Sequence, residues 1–214
     1  MYGILSNFAY VALAAVALWG AFCVVLVLSR VSRKRFKSEA AQDAFLDSIE
    51  PALINGDFDA VQEACAGDER ALSMMVSLAC LNRGIGYQRV RQLVMDRFQR
   101  DVLADIDERL TWVTTVIKTA PMIGLFGTVL GMMGAFSTLA TQANVEAASL
   151  AGNINVALIT TALGLAIAVP LVIALASVNN RIRSMEELVA AGLTRFLDAF
   201  KVGLANNAGK RRSA

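Results

Sequence analysis

The sequence predicts an all-α membrane protein with three transmembrane helices, two of them extended into long cytoplasmic helices. Three observations predict this. Charge-free apolar stretches run from about Phe8 to Leu28, Thr119 to Ala140 and Ile154 to Val178, and each reaches the roughly 20 residues that a bilayer crossing needs. The second stretch carries an ordered face of small residues. Apolar positions then recur at helical spacing in the polar sequence that borders the second and third stretches. Of the 214 residues 56% are hydrophobic, above the roughly 45–50% of a soluble domain.

The first stretch reads as a retained span. Met1 to Ser29 carries no charged side chain, so the basic n-region of a signal peptide is missing, and the apolar run exceeds the roughly 7–15 residues of such a signal. Leu18 to Cys23 matches a lipoprotein cleavage site only loosely, because Phe22 is not small. Basic residues set the orientation. Arg30, Arg33, Lys34, Arg35 and Lys37 follow span one, Lys118 precedes span two, Arg181 and Arg183 follow span three, and Lys210, Arg211 and Arg212 lie in the tail. The connector between spans two and three holds only Glu146. The N-terminus is therefore expected outside, with the middle segment and tail in the cytoplasm. Residues 1–29 form the outer end and first span, 30–117 a cytoplasmic helical domain, 118–140 the second span and 141–153 an external turn. Residues 154–178 form the third span, 179–205 a cytoplasmic helix and 206–214 a disordered tail.

Within the cytoplasmic segment, Ala40 to Leu53 presents Phe45, Leu46, Ile49 and Leu53 on one face. Asn55-Gly56-Asp57 is a turn, with Asp57 placed to cap a helix from Phe58 to Cys65. Ala71 to Leu81 is a small apolar core element, and Arg83-Gly84-Ile85-Gly86 is a break. From Tyr87 a long helix carries Val90, Leu93, Val94, Phe98, Val102, Ile106 and Leu110 and runs uninterrupted into span two. After Val178 the apolar face continues through Ile182, Met185, Leu188, Val189, Leu193, Phe196, Leu197 and Phe200.

Span two places Gly124, Gly127, Thr128, Gly131, Gly134, Ala135 and Thr138 on one side. Each glycine costs about 1 kcal/mol against alanine in a helix. In lipid, small residues let backbones approach and hydroxyls bond across the contact. Span three offers a second such face in Asn153, Ala157, Thr160, Thr161, Gly164 and Ala168, with Asn155 at its outer end. If both faces line a common axis, Thr128 and Thr161 sit at mid-depth. No span holds a carboxylate or histidine, the usual intramembrane proton relays. A proton-using chain of this kind takes its titrating group from a partner.

Other chemistry is missing. The glycines of span two lack the Lys-Ser/Thr ending of a phosphate loop, and no nucleophile–base pair or paired carboxylates stand out. Cys23, Cys65 and Cys80 have no metal-ligand spacing and the chain has no histidine, so neither a zinc site nor a disulfide is expected. A net charge of +2 with basic residues beside spans gives no support to nucleic-acid binding.

Ala120 to Phe136, APMIGLFGTVLGMMGAF, resembles the second span of the MotA/TolQ/ExbB family, and Ala157 to Pro170, ALITTALGLAIAVP, resembles its third span. The three-span layout is similar to the ExbB/TolQ branch. The resemblance implies a homopentameric ring in the bacterial inner membrane around the single spans of two copies of an ExbD- or TolR-like partner. The partner supplies a titrating aspartate, protons are the coupling ion with no other cofactor, and motion passes to a TonB- or TolA-like protein. It further implies that Thr128 and Thr161, with Thr160 and Asn155 nearby, line the pore. Gly124, Gly127, Gly131, Gly134 and Gly164 pack helices, and Pro121 and Pro170 shape them. One position departs: where ExbB and TolQ sequences read Glu-Ala-Leu, this chain has Val156. Three outcomes stay open there. The partner aspartate, threonines and water suffice; Asn155 keeps the outer mouth hydrated; or the ring does not conduct. From a different class, a passive scaffold or channel ring predicts no aspartate-bearing partner.

Overall fold

Every element is helical among the residues described by the structure, a computed structural model, which gives the backbone of 2–141 and 147–213 and the side chains of 8–140, 150–152 and 154–207. The elements are α1 (Tyr2–Lys34), α2 (Glu39–Ile54), α3 (Phe58–Ala64), α4 (Ala71–Leu81), a 3-10 turn (Arg83–Ile85), α5 (Tyr87–Arg97), a π-helical turn (Phe98–Leu103), α6 (Ala104–Thr141) and α7 (Ala147–Ser213). Three of the helical runs contain stretches long and apolar enough to cross a membrane, within Phe8–Ile54, Tyr87–Ala140 and Leu150–Asn207. The chain divides into a membrane unit, residues 1–27 and 109–178, and a polar unit, residues 28–108 and 179–214.

In the membrane unit the spans of α1, α6 and α7 pack on one another. Gly20 of α1 makes the close approach: a Cβ there would meet Val116 Cγ1 at 2.7 Å and Leu171 Cδ1 at 2.9 Å. The Trp19 ring beside it meets Trp112 edge-on at 6.3 Å. Phe22, Leu125, Phe126, Val129, Phe136, Leu158, Val169 and Ile173 stay on the outside. Water would penalise that much exposed apolar area at about 25 cal/mol per Å²; lipid or protein neighbours do not.

The polar unit is built by α2–α5, the π turn, the start of α6 and the end of α7. Ser38 caps α2 by accepting from the Ala41 amide at 3.2 Å. Asp57 caps α3 as expected, accepting from the Ala60 amide at 3.2 Å. Gly86, with φ of +90°, breaks the chain before α5, a backbone state that glycine adopts without steric cost. Leu46, Ile49, Leu53, Leu72, Met75, Val76, Phe196 and Phe200 form the centre of the core, with Phe200 edge-on to Phe58 at 5.3 Å. Cys65 and Cys80 lie within this core, and burial pushes their thiols up to about 11 and about 12, which keeps them protonated and unreactive near neutral pH.

Four details differ from the sequence expectations. Gln42, not Phe45, completes the buried face of α2; its amide nitrogen donates to the Leu188 carbonyl at 2.7 Å, while Phe45 stacks on Phe36 at 5.4 Å. The helix from Tyr87 is interrupted by the π turn. Helix α7 starts at Ala147, inside the expected turn 141–153, of which residues 142–146 with Glu146 lie outside the described residues. The tail expected to be disordered from residue 206 continues α7 to Ser213. Its first side chains have partners there: Asn206 and Asn207 donate to the carbonyls of Ile54 and Gly56 at 2.8 and 2.9 Å.

Candidate functional site

The small-residue faces of α6 and α7 meet inside one chain. At Gly164 of α7 a Cβ would sit 2.6 Å from the Ala120 carbonyl oxygen and 3.2 Å from Pro121 Cα. At Gly124 of α6 it would sit 2.8 Å from the Thr160 carbonyl oxygen and 3.0 Å from Thr161 Cα, and at Gly127 it would collide with the Thr160 side chain. Real Cβ atoms do not come this close, so glycine is a requirement of the contact here and not a propensity. Gly134 is buried and Gly131 partly exposed in the single chain.

The approach brings two hydroxyls onto one backbone oxygen. Thr161 Oγ1 donates to the Gly124 carbonyl at 3.0 Å. Thr160 Oγ1 donates to the Ala157 carbonyl at 2.7 Å and also lies 3.3 Å from Gly124 O. Thr160 is 1% exposed, so it is seated between the helices and does not reach the chain's surface. Thr161 is partly exposed. Thr128, one turn beyond Gly124 on α6, is partly exposed too, and its hydroxyl donates to the Leu125 carbonyl at 2.6 Å within its own helix. Local back-bonding of this kind is common for membrane threonines; the bond from Thr161 to another helix is not local and ties α6 to α7.

Asn155 is exposed, about 9 Å along α7 from Thr161, and Val156 beside it is partly exposed. The side chain of Asn153 lies outside the described residues. Pro121 and Pro170 both fall inside their helices. Each lacks an amide N–H, which leaves the carbonyls of Ile117 and Ala166 without the usual helical donor. Sequence reasoning missed the Gly20 contact; the lone glycine of the first span, set between Trp19 and Ala21, was the available signal.

The spans hold no carboxylate, and among the described residues no group of His, Cys, Asp or Glu is arranged to hold a metal ion. What the arrangement offers is a packed helix pair with hydroxyl oxygens on its surface at mid-span, in apolar surroundings.

Comparison with known proteins agrees with this chemistry. Residues 57–190 match the MotA/TolQ/ExbB proton channel family, and this range includes the whole α6/α7 contact. The Tol-Pal system protein TolQ of Pseudomonas aeruginosa is 40% identical over 96 residues, 45% of this chain and 40% of that protein. A putative biopolymer transport protein ExbB homolog of Methanothermobacter thermautotrophicus is 40% identical over 101 residues, 46% of this chain and 35% of that protein. The biopolymer transport protein ExbB of Helicobacter pylori is 39% identical over 70 residues, 33% of this chain and 48% of that protein. Each alignment thus spans less than half of the relative's own length. With the family range covering more than half of this chain, and its centre being a Thr–Gly helix pair inside three apolar helices, the chain belongs to the MotA/TolQ/ExbB proton channel family, a family of transport and motor components and not of enzymes.

Proposed function

We propose that the chain is the ring-forming subunit of an ExbB-like motor driven by the proton-motive force. In this reading five copies assemble in the bacterial inner membrane, with the N-terminus periplasmic and the C-terminus cytoplasmic. The ring encloses a dimer of an ExbD-like single-span protein and energises a TonB-like protein for outer-membrane transport. The observation that carries the reading is the Thr161–Gly124 bond beside the partly exposed Thr128, inside the family range. It supports a weakly polar lining that holds oxygen atoms and no charge. Protons are the coupling ion, and the partner's carboxyl group carries them.

Val156 replaces the glutamate that the resemblance leads one to expect. In this reading the partner carboxyl, the threonine oxygens and water carry the path without it. The second reading is a TolQ-like subunit of a Tol-Pal system for envelope integrity, favoured by relatives named TolQ in Pseudomonas aeruginosa and Haemophilus influenzae, at 40% and 35% identity.

Native mass spectrometry of the complex, extracted gently from its own membrane, tests the architecture. Five copies with two of a small single-span protein are expected. A ring that repeatedly lacks such a partner points to a scaffold or channel ring instead. Deleting the gene then separates the branches: loss of TonB-dependent uptake fits the ExbB-like role, and detergent sensitivity with intact uptake fits the TolQ-like one.

A further inference from the structure

Between Arg109 and Glu146 the sequence has a single charged residue, Lys118, and the helix contacts of the membrane unit set its depth. A Cβ on Gly164 of α7 would lie 2.6 Å from the Ala120 carbonyl oxygen and 3.2 Å from Pro121 Cα. On the antiparallel α6, Lys118 is two to three residues, about 4 Å, nearer the Val178 end of α7. That levels it with Ala166, the midpoint of the apolar stretch Ile154 to Val178, about 18 Å from either end. The Gly20 contact gives a similar depth. Val116 and Leu171 meet there, which puts Lys118 about 13 Å from the level of Val178. Both depths are well inside an apolar core of about 30 Å. Lys118 is exposed on the membrane unit, and among the described residues its ammonium has no hydrogen bond or ion pair. Charges at such a depth are costly in lipid and are met by other charges or by backbone carbonyls. The spans hold no carboxylate, so what a second copy can offer is backbone oxygen. The Ala166 carbonyl is such an oxygen: Pro170 takes away its helical donor, and Ala166 and Pro170 are both exposed.

We infer that Lys118 of one copy donates to the Ala166 carbonyl of the next copy and fixes the register of the contact between them. The second span then begins near Leu110, and Lys118 lies within it. Lys118, two residues from Ala120, points about 160° away from the α6/α7 contact, and Ala166, two residues from Gly164, does the same on α7. Donor and acceptor therefore sit on opposite flanks of the helix pair, the head-to-tail arrangement that closes a ring. Rotation about an axis along the membrane normal preserves depth, so groups that are level in one chain are level across neighbouring copies. Direction fits as well. Side chains lean toward the N-terminus of their helix and helix carbonyls point toward the C-terminus; on α6 and α7 both lead to the Val178 side. A lipid headgroup fits less well, because the four-carbon lysine stem covers less than half of the distance to the level of Val178. Met122 and Leu125 beside Lys118, and Val169 and Ile173 beside Ala166, are exposed in the single chain and supply apolar packing around the bond. Lys118 is also about 80° round α6 from Thr128, which keeps its charge off the threonine face. The inference rests on the ring proposed above.

A double-mutant cycle in the complete chain tests the contact. Pro170→Ala returns an amide donor to Ala166 and leaves Lys118 without its acceptor. The ratio of ring to single chain, read by native mass spectrometry after gentle extraction, is expected to fall by at least about tenfold, the scale of one hydrogen bond to a charged group. Lys118→Met keeps the length of the side chain and removes the charge. In that background Pro170→Ala is expected to change the ratio by less than about twofold; any straightening of α7 is common to both backgrounds and cancels. A chain with Lys118→Cys and Ala166→Cys, treated in native membranes with a short membrane-permeant bismaleimide, is expected to give covalent multimers, and either substitution alone is expected to give none. Equal losses in the two backgrounds, or no multimers from a chain that still forms rings, overturn the contact in favour of an anionic lipid headgroup on Lys118 and leave the motor reading intact. No ring from the unaltered chain overturns the motor reading, and the contact with it.

Discussion

Hydroxyls, glycines and one carboxylate set the behaviour of individual positions. Thr161→Val keeps the side chain's shape and removes the bond to Gly124 O. Partner-dependent uptake is expected to fall by roughly tenfold, the scale of one hydrogen bond, with the ring intact on a native gel; unchanged uptake contradicts the lining role. At Gly127 the argument is steric, since any Cβ runs into Thr160. Gly127→Leu is expected to cost about 1–3 kcal/mol or more of helix-pair stability, seen as a lower melting temperature in detergent. Asp68 belongs to the polar unit. Burial alone would raise its carboxyl, but hydrogen bonds from Arg70 and Ser73 outweigh this and hold it below the usual carboxylate range. Its folded value is therefore below its unfolded one. The stability it contributes is fully present above about pH 4, where the unfolded carboxyl titrates, and is lost as pH falls through the lower folded value. Asp68→Asn should lower thermal stability at neutral pH and narrow the gap to wild type in strong acid; a gap that widens with acid would show the sign to be wrong.

Among the elements, the π turn has a phase-setting role. Val90, Val94, Phe98, Val102 and Ile106 are all buried in the polar unit at four-residue spacing. On an α-helix each such step drifts by about 40°, so the five would fan across about 160°. The π turn at Phe98–Leu103 takes up an extra residue, which turns Val102 and Ile106 back by about 100° and narrows the spread to about 80°. The four-residue spacing was the available signal for this interruption, although the sequence reading carried the helix through uninterrupted. Deleting the exposed Gln99 from the turn should restore α geometry and turn Val90 and Val94 away from the core. The expected result is a melting temperature lower by more than about 4 °C, whereas a deletion tolerated without change would show that the turn sets no phase. The same unit depends on two close approaches of α7. Gly203 faces the Leu53 carbonyl and Gly192 faces Gln42, each too near for a Cβ.

For the whole molecule the two α6/α7 small faces are consumed mainly within the chain. That leaves partly exposed Gly131 and the apolar exterior of the membrane unit for neighbours. Gly131→Leu is expected to block assembly beyond the single chain without unfolding it, because the bulk projects where helices of other copies would approach. Mass determination in detergent checks this: rings of wild-type size from the variant would show that Gly131 makes no contact between copies.

Much of this was legible before any coordinates. Three apolar runs reported the spans, since length and absence of charge decide membrane crossing by themselves. Ala71 to Leu81, the Asp57 cap and the break before Tyr87 followed from local preferences. The family followed from the residues of spans two and three. Other features rest on where distant segments meet. Gln42 in the core is polar and gives no hydrophobic signal; a carbonyl supplied by Leu188 explains it. Asn206 and Asn207 read as tail residues until Ile54 and Gly56 supply acceptors. Thr160 and Thr161 are adjacent and alike in sequence, yet packing against Gly124 and Gly127 seats the first inside and leaves the second at the surface. The sequence by itself determined the class of protein, because lipid solubility and helix periodicity are local properties. Only the tertiary structure decided which hydroxyl faces outward and where its proton goes, because that depends on atoms more than thirty residues away.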